Sequence, residues 1–376
     1  MSATPHRVHG LAADETAPDW PPITGAELAT LFARFADMAP WRAPHWHSPR
    51  PLSAACLVHT EQGELFIKRH HQSVRSAPTL AEEHTFMAHL RQHGAGVPQV
   101  VADAEGQTAI ALGEWTYEVH TPVDGVDLYR ELVSWEPLTC LAHAHAAGLA
   151  LAQLHDAAEG FIAPKRSTHI LVARSELITC ADAVATLQAQ LPGRPALANY
   201  LAGRDWQQEL RTALGPDAAE RAAKLAAEPR LWTHSDWHAS NLAWSGDDER
   251  ATVSAAFDFG LAAPNFALFD LATAIERNAI EWLQLDKGMA AAHIDTALAL
   301  IDGYTSKRPL TDAQRKLLAD TLRCVHVDFA ISETEYFHGI TGSTADADVA
   351  WATFLLGHAA WFDSAPGQAL LHAIAG

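Results

Sequence analysis

Two segments decide the fold of this chain: His234-Ser235-Asp236-Trp237-His238-Ala239-Ser240-Asn241 and, downstream, Asp258-Phe259-Gly260. Between them the sequence predicts a short strand at Leu242-Ala243-Trp244, a turn at Ser245-Gly246-Asp247-Asp248 and a buried strand at Thr252-Val253-Ser254-Ala255-Ala256-Phe257. A hairpin returns the chain to its starting point. We therefore expect the two polar segments to meet.

Three oxygen-bearing side chains in these segments suit phosphoryl transfer from ATP. The transition state of that reaction spreads charge over phosphate oxygens, so the protein mainly positions groups and neutralises charge. Asp236 is the candidate catalytic base for an acceptor hydroxyl, and Asn241 and Asp258 are candidate ligands for Mg²⁺, which prefers oxygen donors. The pattern and its spacing favour a kinase, with ATP or GTP as the phosphoryl donor.

The same segments resemble the aminoglycoside phosphotransferase and choline kinase family, whose catalytic loop reads roughly HGDxxxxN ahead of a metal-binding aspartate. Asp236, Asn241 and Asp258 match that pattern position by position, whereas Ser235 replaces the family's glycine. The resemblance implies an α+β, bilobal, protein-kinase-like fold. Its N-lobe would be small and mainly antiparallel β with one key helix, and its C-lobe larger and mainly helical.

Two further residues near the catalytic loop have roles that the resemblance implies. His234 would anchor the loop through hydrogen bonds. Asp270, at the start of the next helix, would brace the loop in the same way. A plain helix-start carboxylate is an alternative role for Asp270, because acidic side chains favour the first turn of a helix.

A lysine and a glutamate upstream fit a nucleotide-binding lobe. Gly63-Glu64-Leu65-Phe66-Ile67-Lys68-Arg69 alternates like a half-buried strand, and the segment from Leu80 to Leu90 has helical spacing. A further strand is predicted at residues 97–101. The resemblance implies that Lys68 contacts the α- and β-phosphates. It also implies that a helix glutamate, Glu83 rather than Glu82, orients this lysine.

One expected element is missing from the sequence. Nucleotide-covering loops are usually glycine-rich, because backbone amides must approach the phosphates closely. The corresponding segment, residues 48–58, contains no glycine, and Pro49 and Pro51 stiffen it. Arg50 could contact phosphate. How the phosphates are covered is left open.

The chain divides into three predicted parts. Residues 1–25 are Pro-rich and polar and are predicted to be a loosely attached extension. Residues 26–120 would form the N-lobe, which begins with a helix over about Ala26–Met38, and residues 121–376 would form the C-lobe.

The interlobe linker is predicted at Thr121-Pro122-Val123-Asp124-Gly125. Kinases bind adenine through main-chain groups at this crossing. By analogy, Glu118, Val119, His120 and Thr121 would supply those groups, through the main chain rather than through side chains.

Composition restricts the class of protein. The 376 residues are 48% hydrophobic, enough for a substantial core and two lobes. A net charge of −19 disfavours nucleic acid as a partner. The four cysteines lack CxxC spacing, and the sequence has neither a signal-peptide pattern nor a membrane-length apolar run, so we expect a cytoplasmic protein with no membrane partner.

The expected partner is a small molecule with a hydroxyl group, and an amine-bearing acceptor is one option. Glu333 and Glu335 could bind an amine, although a solvated helix face is the favoured interpretation of both. The sequence identifies neither the acceptor nor the oligomeric state.

The sequence permits two other classes of function. A catalytically silent, kinase-fold scaffold is the main alternative, because the glycine-rich loop is absent. A metallohydrolase is disfavoured: His234 and His238 are four apart, but the segment reads as a loop and lacks the glutamate of HExxH.

Overall fold

A computed structural model describes residues 18–36, 38, 40–61, 63–130, 132 and 134–376. The strands are β1 (Trp46–His47), β2 (Ala54–Thr60), β3 (Gly63–His71), β4 (Ile110–Leu112), β5 (Trp115–His120), β6 (Arg230–Thr233), β7 (Leu242–Trp244), β8 (Val253–Ala256) and β9 (Ala263–Phe266). The α-helices are α1 (Gly25–Phe32), α2 (Ala77–Gln92), α3 (Leu141–Ala158), α4 (Glu176–Thr179), α5 (Ala183–Gln190), α6 (Pro195–Leu201), α7 (Trp206–Leu214), α8 (Ala218–Ala226), α9 (Ala267–Asn278), α10 (Ile294–Thr305), α11 (Asp312–Leu322), α12 (Val327–Tyr336), α13 (Thr344–Asp348), α14 (His358–Trp361) and α15 (Ala365–Ala375). Shorter 3₁₀ segments cover Leu191–Gly193, Ala239–Asn241 and Trp282–Ala291, and π-helical segments cover Phe337–Thr341 and Val349–Gly357.

The N-lobe is an antiparallel sheet in the order β1-β2-β3-β5-β4. Side chains alternate across the strands, so Ile67 and Val119 lie on one face and pack with α1 in an apolar cluster. Lys68 and Glu118, which are directly opposed on β3 and β5, lie on the other face. This second face is turned towards α2 and the cleft.

The C-lobe is mainly helical and carries two short antiparallel sheets of two strands each, β6–β9 and the hairpin β7–β8. Its α3 and α10 approach closely because a glycine lies at each contact. A Cβ on Gly148 would lie 2.0 Å from the carbonyl oxygen of Leu300, and one on Gly303 would lie 1.9 Å from that of His145. The predicted α+β bilobal architecture is confirmed.

The N-terminal segment differs from its prediction. Residues 1–17 lie outside the described part of the chain, but residues 18–25 are firmly attached. Asp19 N donates to Pro51 O (3.0 Å), Trp20 Nε1 donates to the Tyr336 hydroxyl (3.1 Å), and Ile23 is buried. For residues 18–25 the prediction of loose attachment is therefore wrong, because this segment buries apolar and aromatic side chains against both lobes.

Two predicted elements have different bounds. The helix expected over Ala26–Met38 ends at Phe32. The strand expected at residues 97–101 is reduced to an isolated pairing of Val100 with His120, since Pro98 has no N–H for a ladder. Among the described residues, no helix combines the length and apolarity that crossing a membrane requires.

Candidate active site

The catalytic loop follows β6 and ends in the 3₁₀ turn that leads into β7. The β7–β8 hairpin then returns the chain, and Phe257 N donates to Asn241 O at 3.0 Å. Asn241 Nδ2 donates to the Asp236 carbonyl (3.0 Å) and to Asp236 Oδ2 (3.1 Å). The hairpin thus places Asp236, Asn241 and Asp258 around one part of the cleft.

Asp270 holds the start of the catalytic loop from the first turn of α9. Its carboxylate is fully buried and accepts hydrogen bonds from His234 N (2.8 Å), Ser235 N (2.8 Å) and His155 Nε2 (3.1 Å). His234 in turn donates from Nε2 to Phe257 O (2.9 Å), and its Nδ1 accepts from Asp236 N (3.2 Å). Both ends of the loop are therefore fixed to neighbouring elements by hydrogen bonds.

Ser235 has a left-handed backbone, with φ at 66°. This conformation favours glycine, because the Cβ of any other residue crowds the backbone. The Ser235 hydroxyl compensates by bonding Thr233 Oγ1 (2.8 Å) and Asn265 Nδ2 (3.2 Å). The departure from the family's glycine is therefore accommodated locally.

This geometry predicts a ranking of two substitutions at Ser235. Ser235→Gly removes the hydroxyl bonds but also the backbone strain, so its free energy of unfolding should stay within about 1 kcal/mol of the parent. Ser235→Ala keeps the strain and loses the bonds, so it should be about 1–2 kcal/mol less stable than the glycine variant. Urea unfolding measures both; equal stability of the two variants would contradict the account.

Lys68 and Asp258 form an ion pair across the cleft, with Nζ 2.7 Å from Oδ1. Burial lowers the pKa of Lys68, but the carboxylates of Asp258 and Glu118 outweigh this and raise it. Burial raises the pKa of Asp258, but the Lys68 ammonium outweighs this and holds the pKa below its ordinary value. Both groups are therefore charged at neutral pH.

Glu83 does not contact Lys68 as predicted. Its buried carboxylate lies 2.9 Å from Arg166 Nη2 and 3.8 Å from Arg75 Nε. Arg75 also donates to the main-chain carbonyls of Ile170 and Gly260 in the C-lobe. The predicted pairing of Glu83 with Lys68 is therefore corrected. Two guanidinium groups, each fixed by further hydrogen bonds, bind the Glu83 carboxylate instead and connect α2 to the C-lobe.

Arg277 is a site residue that the sequence analysis missed. Its Nη1 lies 2.8 Å from Asp236 Oδ1, and its guanidinium stacks on Trp135 at 4.0 Å. Burial raises the pKa of Asp236, but Arg277 and His238 outweigh this and hold it far below the usual range. The spacing in the sequence could have indicated this residue, because Arg277 lies two helical turns after Asp270 and hence on the same face of α9.

Arg50 connects the phosphate-loop position to the C-lobe. It donates to Ser134 Oγ (2.7 Å), Leu132 O (3.1 Å) and Ser240 Oγ (3.2 Å). Burial lowers the pKa of Arg50, and the nearby Arg277 lowers it further. The loop without glycine is thus anchored across the cleft, next to the catalytic loop, by a half-buried cation.

The predicted adenine-binding segment is partly occupied by hydrogen bonds within the lobe. Val119 O accepts from Val101 N (2.7 Å), and Thr121 N donates to Gln99 O (3.0 Å). For these two main-chain groups the predicted role is corrected, because residues 99–101 pair with the edge of β5. The side chains of Glu118 and His120 belong to a buried cluster on the cleft face of the sheet.

Glu333 and Glu335 are both buried, so the interpretation as a solvated helix face is wrong. Glu335 pairs with Arg194 (2.6 Å) and His169 (3.1 Å). Glu333 Oε2 has no hydrogen-bond partner among the described residues. Burial raises the pKa of Glu333 to about 8.

The side chains around Asp236 fit a Mg²⁺ ion. Asn241 directs its amide nitrogen to Asp236, which leaves its amide oxygen as a donor, and the Asp258 carboxylate is partly exposed to the cleft. Carboxylate and amide oxygens, few in number, are the protein ligands typical of Mg²⁺.

Sequence comparison assigns this chain to a class of enzyme. A sequence model of the phosphotransferase enzyme family (APH) matches residues 52–310, more than half of the chain. The chain therefore belongs to the phosphotransferase enzyme family, and the predicted family and class of enzyme are confirmed.

Individual relatives share about a quarter of their aligned residues with this chain. The chain is 27% identical over 265 residues to a homoserine kinase of Rhodopseudomonas palustris strain TIE-1, a match that covers 70% of this chain and 69% of that protein. It is 25% identical over 306 residues to a homoserine kinase of Phenylobacterium zucineum strain HLK1, which covers 79% and 80%.

Solved structures share the fold. Amicoumacin kinase hAmiN, in complex with AMP-PNP, Ca²⁺ and Ami, has a TM-score of 0.59 at 15% identity, over 90% of this chain and 93% of that one. A microcompartment-associated aminopropanol kinase has a TM-score of 0.54 at 17% identity, over 91% and 98%. Both likenesses confirm the kinase-like fold.

Proposed function

We propose that this chain is an ATP-dependent kinase that phosphorylates a hydroxyl group of a small amine-bearing molecule. The observation that carries the proposal is the placement of Asp236 beside Asn241, in the same cleft as the Lys68–Asp258 ion pair. These groups are the parts that phosphoryl transfer requires: a base, oxygen ligands for a metal ion and a cation for phosphate.

Each residue has a distinct role in this proposal. Asp236 accepts the hydroxyl proton of the acceptor and holds that oxygen in line with the γ-phosphate. Lys68 neutralises charge on the α- and β-phosphates, and its contact with Asp258 keeps the ammonium directed into the cleft. Asn241 and Asp258 hold Mg²⁺, which neutralises phosphate charge when bound.

Adenine is proposed to lie against the main chain after β5. Within the predicted segment, we assign the adenine contact to the main-chain carbonyl of Thr121, together with the linker residues that follow it. The amide of Thr121 and the carbonyl of Val119 are used within the N-lobe. The main-chain assignments for Glu118 and His120 stay proposals.

The amine of the acceptor is proposed to bind Glu333. This buried carboxyl group lies close enough to Asp236, Arg277 and Asp19 for their charges to influence its pKa. An unpaired buried carboxylate is unfavourable, and an ammonium group on the acceptor would compensate for it. Homoserine and aminopropanol, the substrates in the names of relatives and structural neighbours, each combine a hydroxyl with an amine.

The raised pKa of Glu333 predicts a pH profile. Glu333 must lose its proton to bind an ammonium group, so kcat/KM for an amine acceptor should rise by up to about tenfold per pH unit below its pKa and level off above about 8. Glu333→Gln should remove that limb and raise KM for amine acceptors. Glu276→Gln is the matched control, since burial also raises the pKa of Glu276 to about 8. An unchanged profile in Glu333→Gln would contradict the assignment.

ADP release tests the function directly. Homoserine, aminopropanol and an aminoglycoside should be offered with Mg-ATP or Mg-GTP, and Asp236→Asn serves as the inactive control. Acceptor-dependent ADP release in the parent alone supports a kinase. If Mg-ATP raises the melting temperature but no hydroxylated amine is phosphorylated, the acceptor proposal fails; if neither nucleotide raises it, the scaffold alternative is favoured.

A further inference from the structure

Three histidines surround one carboxylate on the cleft face of the N-lobe. His84 Nε2 and His120 Nε2 each lie 2.8 Å from Glu118 Oε2, and His70 Nε2 lies 3.0 Å from Glu118 Oε1. All four side chains are buried. Buried ionisable groups are unfavourable unless hydrogen bonds, opposite charges or a metal ion compensate for the lost water.

The fold brings these residues together for a simple reason. His70 is two residues after Lys68 on β3, and Glu118 is opposite Lys68 on β5, so both side chains share the cleft face of the sheet. His120 follows two residues after Glu118 and shares that face. His84 reaches the cluster from α2. Three separate elements of the N-lobe therefore meet at Glu118.

The donor atoms match the requirements of a metal site. One donor atom each from His84, Glu118 and His120 lies within 4.8 Å of the other two. Donors around a tetrahedral Zn²⁺ lie roughly 3.3 Å apart. The two imidazole nitrogens each lie 2.8 Å from Glu118 Oε2, so a small outward shift of the side chains would admit the ion. Thr108 Oγ1 lies 3.0 Å from His84 Nδ1, a contact of the kind that orients metal-binding imidazoles.

We propose that Glu118, His84 and His120 bind one Zn²⁺ ion in the N-lobe, while His70 orients the carboxylate through its other oxygen. Imidazole and carboxylate donors suit Zn²⁺, and a water molecule can complete the tetrahedral set. The ion ties β5 to α2 and, through the contact of His70 with Glu118, to β3. It thereby positions Lys68, two residues from His70, and it is separate from the Mg²⁺ ligands Asn241 and Asp258.

Metal content tests this proposal. Full-length protein without a histidine tag, produced in zinc-supplemented medium, should carry close to one zinc per chain after dialysis, measured by inductively coupled plasma mass spectrometry. Cobalt(II) added to the zinc-depleted protein should give the intense visible bands of tetrahedral Co²⁺, and zinc should abolish them. Removal of zinc by a chelator should lower the melting temperature by several degrees.

Variants of single residues test where the zinc ion binds. His84→Asn and, separately, His120→Asn should each lose most of the zinc and the cobalt bands. His143→Asn, which removes another buried imidazole, and Asp258→Asn, which removes a Mg²⁺ ligand, should each keep both.

A second buried cluster, Glu276, His326 and His358, could also hold a metal ion. If the ligand variants do not fold, His358→Asn decides between the two clusters: it should keep the zinc and the cobalt bands, and their loss would overturn the proposal.

Two other results overturn the proposal. Zinc content near zero in the parent, with no cobalt bands on titration, means that the four side chains form only a hydrogen-bonded cluster. Zinc that persists in both ligand variants but is lost in Asp258→Asn means that the ion occupies the magnesium site.

Discussion

Asp236→Asn should reduce kcat by roughly 10²–10⁴-fold while Kd for Mg-ATP stays within about threefold of the parent value. The amide keeps the shape of the carboxylate but cannot accept the hydroxyl proton of the acceptor. The groups proposed to contact the nucleotide and its metal ion, Lys68, Asn241 and Asp258, are unchanged in this variant. Single-turnover phosphorylation and a nucleotide titration measure the two quantities separately.

Asp236→Asn also breaks the ion pair with Arg277, which affects stability, and a second substitution at Arg277 provides the control. Arg277 is buried against Asp236 and Trp135, and removal of one partner of a buried ion pair typically costs about 3–5 kcal/mol. A double variant, Asp236→Asn with Arg277→Gln, should regain part of the lost stability without regaining turnover. Its melting temperature then separates a defect in folding from a defect in chemistry. Near-parental kcat in either variant would exclude Asp236 as the base.

The part of the site that lies close together in sequence was predictable. Asp236, Asn241 and Asp258 are joined by one hairpin, so local pattern alone is enough to bring them near one another. The class of fold was implied by the resemblance of the same segments to a known family. The chemistry of phosphoryl transfer restricts which residue types can stand at these positions, which makes a short pattern informative.

Contacts between distant segments were not predictable. Glu83 pairs with Arg166 and Arg75 rather than with Lys68, and no local pattern chooses among three cations that all converge on one cleft. The position of a guanidinium group depends on the packing of the C-lobe. Tertiary contacts therefore decide which cation pairs with Glu83, and such contacts leave no periodic pattern in the sequence.

Composition misled the interpretation of two segments. Residues 18–25 are Pro-rich and polar, but Trp20 and Ile23 supply enough apolar surface to bind the segment to the folded lobes. The acidic side chains of α12 suggested a solvated face, whereas Glu333 and Glu335 point into the C-lobe. In both cases a few individual side chains, rather than average polarity, determine the packing.

Asp270→Asn should lower the free energy of unfolding by roughly 2–4 kcal/mol and reduce turnover as well. The two carboxylate oxygens accept from three N–H groups, those of His234, Ser235 and His155. Asparagine offers one oxygen and one NH₂ group, so at least one buried N–H faces another donor. The start of the catalytic loop then loses an anchor directly before Asp236.

A matched control distinguishes this role from that of an ordinary helix-start carboxylate. Asp295 is an exposed acid in the first turn of α10, and Asp295→Asn should change stability by no more than about 0.5 kcal/mol. A carboxylate that acts only on the helix dipole contributes about 0.3–1 kcal/mol. A loss below about 1 kcal/mol in Asp270→Asn, measured by urea unfolding, would therefore show that Asp270 does not brace the loop. A larger loss accompanied by reduced kcat identifies the buried carboxylate as the group that holds Ser235 in its left-handed conformation and, through it, positions Asp236.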